Sequence, residues 1–423
     1  MRRSAPRSLV ASLAVAGLLL AACGSDDNTA SSGGADTAAT TVKVGVLHSL
    51  SGTMSISERA VRDASLLAIK EINAAGGVMG KQIEPIVRDG KSDWPTFRTE
   101  IERLISTDKV AVTFGGWTSA SRKAMKPAVE GLDGLLFYPV QYEGLEVSPN
   151  IFYTGATTNQ QIIPALDYLK EKGLTNVFLV GSNYVFPQTA NKEIRAYANA
   201  NGLNIMDELY LELGEKNAQT VVQKVLDAKP QVVFNTLNGD TNVSFFQELQ
   251  AKGNTPDKIQ TISVSIAEEE IAGVGVANLV GHLVAWNYFE TTDLPRNKEF
   301  VAAYKAEYGA DRHTDDPIEA GYNSVYIWAA AVEKAQSFEV DAVTKAAGGL
   351  VLDTPEGTLT VHPTNHHVSK TARIGVINDQ GLIDEVWNSG SPIVPDPCLD
   401  TYPWAVTAGL ANAEARAECD AAK

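Results

Sequence analysis

VKVGVLHSLSGTMSISERAVRDASLLAIKEINAAGG, residues 42–77, decides the fold. Residues 42–47 form a β-branched apolar run that reads as a buried strand. A Ser/Gly turn follows, and then residues 58–74 carry Val61, Leu66, Ala68, Ile69 and Ile72 at helical spacing. Gly76 and Gly77 stop the helix. Strand, turn and amphipathic helix in this order are the opening unit of a parallel sheet.

The unit repeats downstream. Strands are expected at 82–88, 110–114 and 135–138, with helices at 96–106 and 121–130 between them. A second series runs as helix 162–172, strand 176–180, helix 188–201, strand 204–211, helix 218–228, strand 231–234, helix 243–251 and strand 260–264. Two long helices at 297–308 and 317–335 come next, and 371–377 with 382–387 reads as a closing hairpin. The expected class is α/β, with two doubly wound parallel-sheet lobes.

Upstream, Arg2, Arg3 and Arg7 precede an uncharged apolar run over residues 9–20. That run is too short to span roughly 30 Å of hydrocarbon and reads as a secretory leader over residues 1–22. Leu20-Ala21-Ala22-Cys23 resembles a bacterial lipobox, in which Cys23 becomes the lipidated first residue of the mature chain. Residues 24–41 hold no large apolar side chain and read as a flexible polar tether. An extracytoplasmic protein anchored to the cell membrane is expected.

The formal net charge is −16, and losing the three leader arginines takes it to −19. Phosphate binding needs basic patches, so nucleic acid is not an expected partner. Cys398 and Cys419 are the remaining cysteines, and in an oxidising exterior they are expected to pair and staple a C-terminal tail, 395–423. The six histidines at 48, 282, 313, 362, 366 and 367 lack metal-ligand spacing, so no metal is expected, and His366-His367 reads as a solvated loop pair. No GxSxG elbow, Walker A loop or HExxH pattern occurs, so neither a cofactor nor an enzyme is expected.

Polar and aromatic residues gather instead where strands end and helices begin, the positions that line ligand crevices in open α/β sheets. Ser51 lies in the turn after the first strand, and Trp117, Thr118 and Ser119 follow the strand ending at Phe114. Tyr138 and Gln141 end the next one, while Tyr184 and Asp240 occupy equivalent ends in the second series. Each has a structural reading too: Ser119 and Asp240 as helix caps, Tyr138 and Tyr184 as core, Trp117 as exposed packing, and Ser51 as part of a turn.

The segments at 44–58, 115–130, 135–155 (LLFYPVQYEGLEVSPNIFYTG), 180–187 and 235–249 (NTLNGDTNVSFFQEL) resemble type 1 periplasmic-binding proteins. More narrowly, they are similar to the substrate-binding proteins of urea ABC transporters and to the amide-sensing regulators of amidase operons. The resemblance covers about 42–394. It implies two lobes joined by three hinge strands, an N-terminal lobe of 42–157 and 288–350 and a C-terminal lobe of 158–287 and 351–394. It carries a pocket over to Ser119, Tyr138, Tyr184 and Asp240. Trp117, Val140, Gln141 and Phe186 stand where the amide regulator has Tyr, Thr, Pro and Tyr, which sits better with urea.

The expected function is capture of urea and delivery to an ABC permease with cytoplasmic ATPases, by a monomer. A receptor for short aliphatic amides or branched-chain amino acids, or a sensory ectodomain, is the alternative.

Overall fold

The computed structural model describes residues 40–422. The leader, Cys23 and the tether up to residue 39 lie outside the described residues. Strand β1 (Thr41–His48) pairs in parallel with β2 (Gln82–Asp89) and β3 (Thr113–Gly115). The sheet continues through β4 (Leu136–Tyr138) to β5 (Ile151–Tyr153), in the order β2-β1-β3-β4-β5. The second sheet contains β6 (Asn176–Ser182), β7 (Asn204–Leu211), β8 (Val232–Thr236), β9 (Gln260–Ser263) and β10 (Leu283–Trp286).

A small antiparallel pair, β11 (Val351–Thr354) and β12 (Gly357–Thr360), comes before β13 (Arg373–Ile377) and β14 (Ile383–Asn388). The second sheet runs β14-β13-β10-β9-β8-β6-β7, parallel from β7 to β10 and antiparallel at β13 and β14. Each large sheet is therefore the centre of an α/β lobe, and the closing hairpin extends the second.

Side-chain alternation explains the layers. In β6, Val177 and Leu179 enter one core while Phe178 and Val180 enter another, so helices cover both faces of the second sheet. The first sheet is organised by one core that joins Val44 and Val46 to Val61, Ala64 and Ala68 of helix Ser55–Ala74 and to Val325 and Trp328 of helix Asp316–Ala335. Of the positions the helical spacing picks out, Val61, Ala68, Ile69 and Ile72 are buried in this core and Leu66 is half-buried against it.

The chain crosses between the lobes after β5, after β10 and before β13. One boundary differs from expectation. Residues 351–368, expected in the second lobe, belong with the first, whose core Leu359, Val361 and Val368 fill. The hairpin follows helix Val340–Ala347 before the third crossing, and residues up to His367, which bridges Tyr153, stay with the first sheet.

The histidine pair is also not a solvated loop. His367 is buried, its ring stacks on Tyr153 at 4.3 Å between centroids, and its Nε2 lies 2.5 Å from the Tyr142 hydroxyl. Burial pushes its pKa down to about 3, which keeps the ring neutral.

The tail forms helices Pro403–Ala408 and Ala413–Ala421, and a disulfide ties Cys398, ahead of the first helix, to Cys419 in the second. It touches both lobes: Glu418 pairs with Lys126 of the first, and Trp404 packs edge-on against Tyr197 of the second.

Candidate functional site

Gly115 and Gly116 set the geometry of the site. At Gly115, with φ of 146°, an added Cβ would fall 1.9 Å from the Leu47 carbonyl oxygen. Only glycine allows β3 to end this close to β1. The chain then turns, and Thr118 caps helix Ser119–Gly131 by accepting the Ser121 N–H at 3.1 Å. Ser119 is released from capping, which Thr118 performs in its place.

The Ser119 hydroxyl donates to Oε2 of Glu143 and accepts from Arg122 Nη1 at 3.2 Å. Arg122 is fully buried, three residues further along the helix and so on the same face. Its guanidinium donates to Glu143 at 3.2 Å and to Glu146 at 2.7 Å. The rings of Tyr138, Tyr142 and Tyr153 surround it, with centroids at 4.9, 4.4 and 5.8 Å.

Burial alone would lower the Arg122 pKa and raise that of Glu146. The ion pair overrides both, holding Arg122 well above and Glu146 well below its ordinary value.

Four of the expected residues meet at the lobe junction with this cluster. Tyr138 is buried and donates its hydroxyl to the Trp117 carbonyl. Trp117, expected to be exposed if structural, is buried and donates its indole N–H to Asn238 of the second lobe at 3.4 Å. Gln141 reaches the second lobe through Nε2, to the Val264 carbonyl at 2.8 Å and the Ser265 hydroxyl at 3.2 Å. Its Oε1 is buried without a protein partner. Tyr184 is buried at the start of helix Val185–Asn201. Burial first, then the nearby Tyr138 and Glu143, raises its phenol pKa.

Two residues stand apart. Asp240 is half-buried and accepts the hydroxyl of Thr53, so it ties the lobes together at their edge and does not cap its helix. Ser51 is exposed and donates to Asp89 at the end of β2 at 2.8 Å, within the first lobe. No group of three or more His, Cys, Asp or Glu side chains among the described residues is placed to hold a metal ion.

The profile of the periplasmic binding protein domain matches residues 42–403. The chain belongs to the periplasmic binding protein family. Leu/Ile/Val-binding protein homolog 8 of Brucella abortus is 27% identical over 358 residues, covering 75% of this chain and 81% of that protein. A limonene hydroxylase of Geobacillus stearothermophilus is 29% identical over only 126 residues, 30% of this chain and 23% of that protein's length. Among solved structures, the fold matches a solute binding protein of an ABC transporter from Rhodopseudomonas palustris BisB5, in complex with 3,4-dihydroxybenzoic acid. That match has a TM-score of 0.77 at 23% identity and covers 85% of this chain and 99% of the other.

In this periplasmic binding protein the charged cluster is what motif reading missed. Arg122, Glu143 and Glu146 lie inside quoted segments, but a sequence does not reveal that three charges share one buried space. The available signal was an arginine one turn beyond Ser119, facing the same way.

Proposed function

We propose that this protein captures urea between its two lobes outside the cytoplasm and passes it to an ABC permease driven by cytoplasmic ATPases. A lipidated Cys23 would hold it at the membrane. One observation carries the choice of ligand: the hydroxyls of Ser119 and Tyr138 both spend their hydrogens inside the protein, on Glu143 and on the Trp117 carbonyl. What they offer a ligand is therefore oxygen lone pairs, and Gln141 Oε1 adds an unpartnered acceptor.

Such a site suits a ligand rich in N–H groups. Its carbonyl has donors in the Ser119 and Ala120 amides at the start of helix Ser119–Gly131, which lie ahead of the Ser121 N–H that Thr118 caps. Urea supplies one carbonyl and four N–H groups in a plane.

Charge supports a neutral solute. Arg122 is already matched by Glu143 and Glu146, so a carboxylate entering here finds no spare guanidinium. That weighs against the amino acids and aromatic acid named for the relatives. The Glu143 carboxylate that accepts the Ser119 hydroxyl is already held by Arg122, so binding and not catalysis is the role assigned. Short amides are the second reading, since they use the same acceptors; lacking one NH2, an amide leaves a buried acceptor unpaired.

With four non-hydrogen atoms at up to about 1.5 kcal/mol each, urea can reach roughly −6 kcal/mol, a Kd of tens of micromolar. Isothermal titration of the purified protein, unfolded and refolded to remove carried solute, tests this. Saturable heat with urea, weaker binding of acetamide and none of leucine or 3,4-dihydroxybenzoate is expected. Saturation by leucine with silence toward urea would discard the ligand and keep the fold.

A further inference from the structure

Away from the arginine cluster, the lobes also meet where helix Glu268–Val274 of the second packs on helix Ser55–Ala74 of the first. The approach is close: a Cβ at Gly273 would lie 2.4 Å from Ile56 Cδ1. Three carboxyl groups are buried at this seam, Glu268 and Glu270 from the second lobe and Asp315 from the start of helix Asp316–Ala335 in the first.

Their hydrogen bonds are incomplete. Glu268 accepts the Glu290 N–H at 2.8 Å through one oxygen, and its other oxygen has no partner. Glu270 accepts the Ala267 N–H at 3.0 Å, and its Oε1 has none. Asp315 caps its helix by accepting the Ile318 N–H at 3.0 Å.

The surrounding charges do not compensate them. From the first lobe, helix Ser55–Ala74 presents Asp63 and, beside Glu270, the Ser57 hydroxyl. Arg312 is bonded to Asp63 at 3.4 Å and to Glu269 at 3.2 Å. Lys305 and His313 both face Glu290, while Tyr288 and Tyr304 bring only phenols. Each cation here is thus paired with some other carboxylate.

Ionised carboxylates buried like this cost several kcal/mol and neutralise by taking up protons. Burial raises Glu268 well above its ordinary range and Glu270 to about 7; Asp315 rises too, by burial and then by Glu270 and Glu268.

We propose that Glu268, Glu270 and Asp315 form a proton-operated latch between the lobes, protonated when they are closed and repelling one another when ionised, so that rising pH favours opening and solute release. Closure raises these pKa values, so it is favoured fully below the ordinary carboxylate range. That advantage is lost as pH climbs through about 7. The latch does not depend on which solute the cleft holds.

The test is double electron–electron resonance on solute-free protein, with spin labels on cysteines replacing exposed Glu84 of the first lobe and Lys224 of the second. Cys398 and Cys419 are bridged and stay unlabelled, and Cys23→Ser removes the third thiol. Between pH 5.5 and 8.5 the open-to-closed ratio should rise about tenfold or more. The triple variant Glu268→Gln, Glu270→Gln and Asp315→Asn keeps the capping acceptors and should hold one ratio across that range. If circular dichroism shows that it does not fold, Glu270→Gln alone should reduce the response. A ratio independent of pH in the unmodified protein, or a full response in the variants, would overturn the latch.

Discussion

The indole N–H of Trp117 crosses the lobe junction to Oδ1 of Asn238, 3.4 Å away. The two residues lie in loops that follow β3 and β8, strands of different sheets. Their contact exists only when the lobes are together. Trp117→Phe keeps the ring and removes the donor. A neutral hydrogen bond of this kind contributes about 1 kcal/mol, so urea titration of the variant should show affinity lower by about fivefold, with thermal unfolding of the free protein little changed. Unchanged affinity would count against a role for this bond in closure.

Arg122 stands between two carboxylates with no access to water. Arg122→Met removes the cation and leaves Glu143 and Glu146 buried without it. Breaking a buried pair from one side costs about 3–5 kcal/mol, and guanidinium chloride unfolding at pH 7 should register that loss. Combining Arg122→Met with Glu143→Gln and Glu146→Gln should recover much of it, since no uncompensated charge then remains. A single variant as stable as the original protein would contradict this account of the cluster.

Glu146 makes stability depend on acid. Burial acts to raise its pKa, but Arg122 and Lys123 hold it well below the ordinary carboxylate range. A depressed carboxylate contributes stability that is fully present above the unfolded pKa and is lost as pH falls toward the folded one. Melting temperature should therefore decline below about pH 4.5, and the decline should be shallower in Glu146→Gln. Parallel curves for the two proteins would assign the acid sensitivity elsewhere.

The tail is fastened at Cys398 and Cys419, 21 residues apart. Closing a loop of that length contributes on the order of 3 kcal/mol. Replacing both by serine should loosen helix Ala413–Ala421 and with it the pairing of Glu418 to Lys126. Hydrogen exchange across 398–422 should accelerate, while β1 and β6 keep their protection. Uniform acceleration over the whole chain would instead make the tail part of the global folding unit.

Reading the residues in order recovered the strands and helices whose apolar positions repeat locally. Helix Ser55–Ala74 and strand β7 came out nearly as they stand. The short β5 and β10, and helix Glu268–Val274, carried too few residues for a period to register. The boundary at 351–368 failed for another reason: a hairpin's sequence does not say which of two cores its Leu359 will enter.

Candidate site residues were legible as types at strand ends, and Ser119, Tyr138, Trp117, Gln141 and Tyr184 do gather at the junction. Asp240 and Ser51 share the same sequence logic but find partners of their own in Thr53 and Asp89.

The sequence by itself determined the alternation of strand and helix and the cysteines available for a staple. Both depend on neighbours within a few residues or on covalent chemistry. Only the tertiary structure decided that Ser119 and Tyr138 give away their hydrogens, that Arg122 is neutralised twice, and that Glu270 and Asp315 are buried where the lobes meet. Hydrogen-bond direction and buried charge depend on groups brought together from distant parts of the chain, and no local pattern encodes which of them will meet.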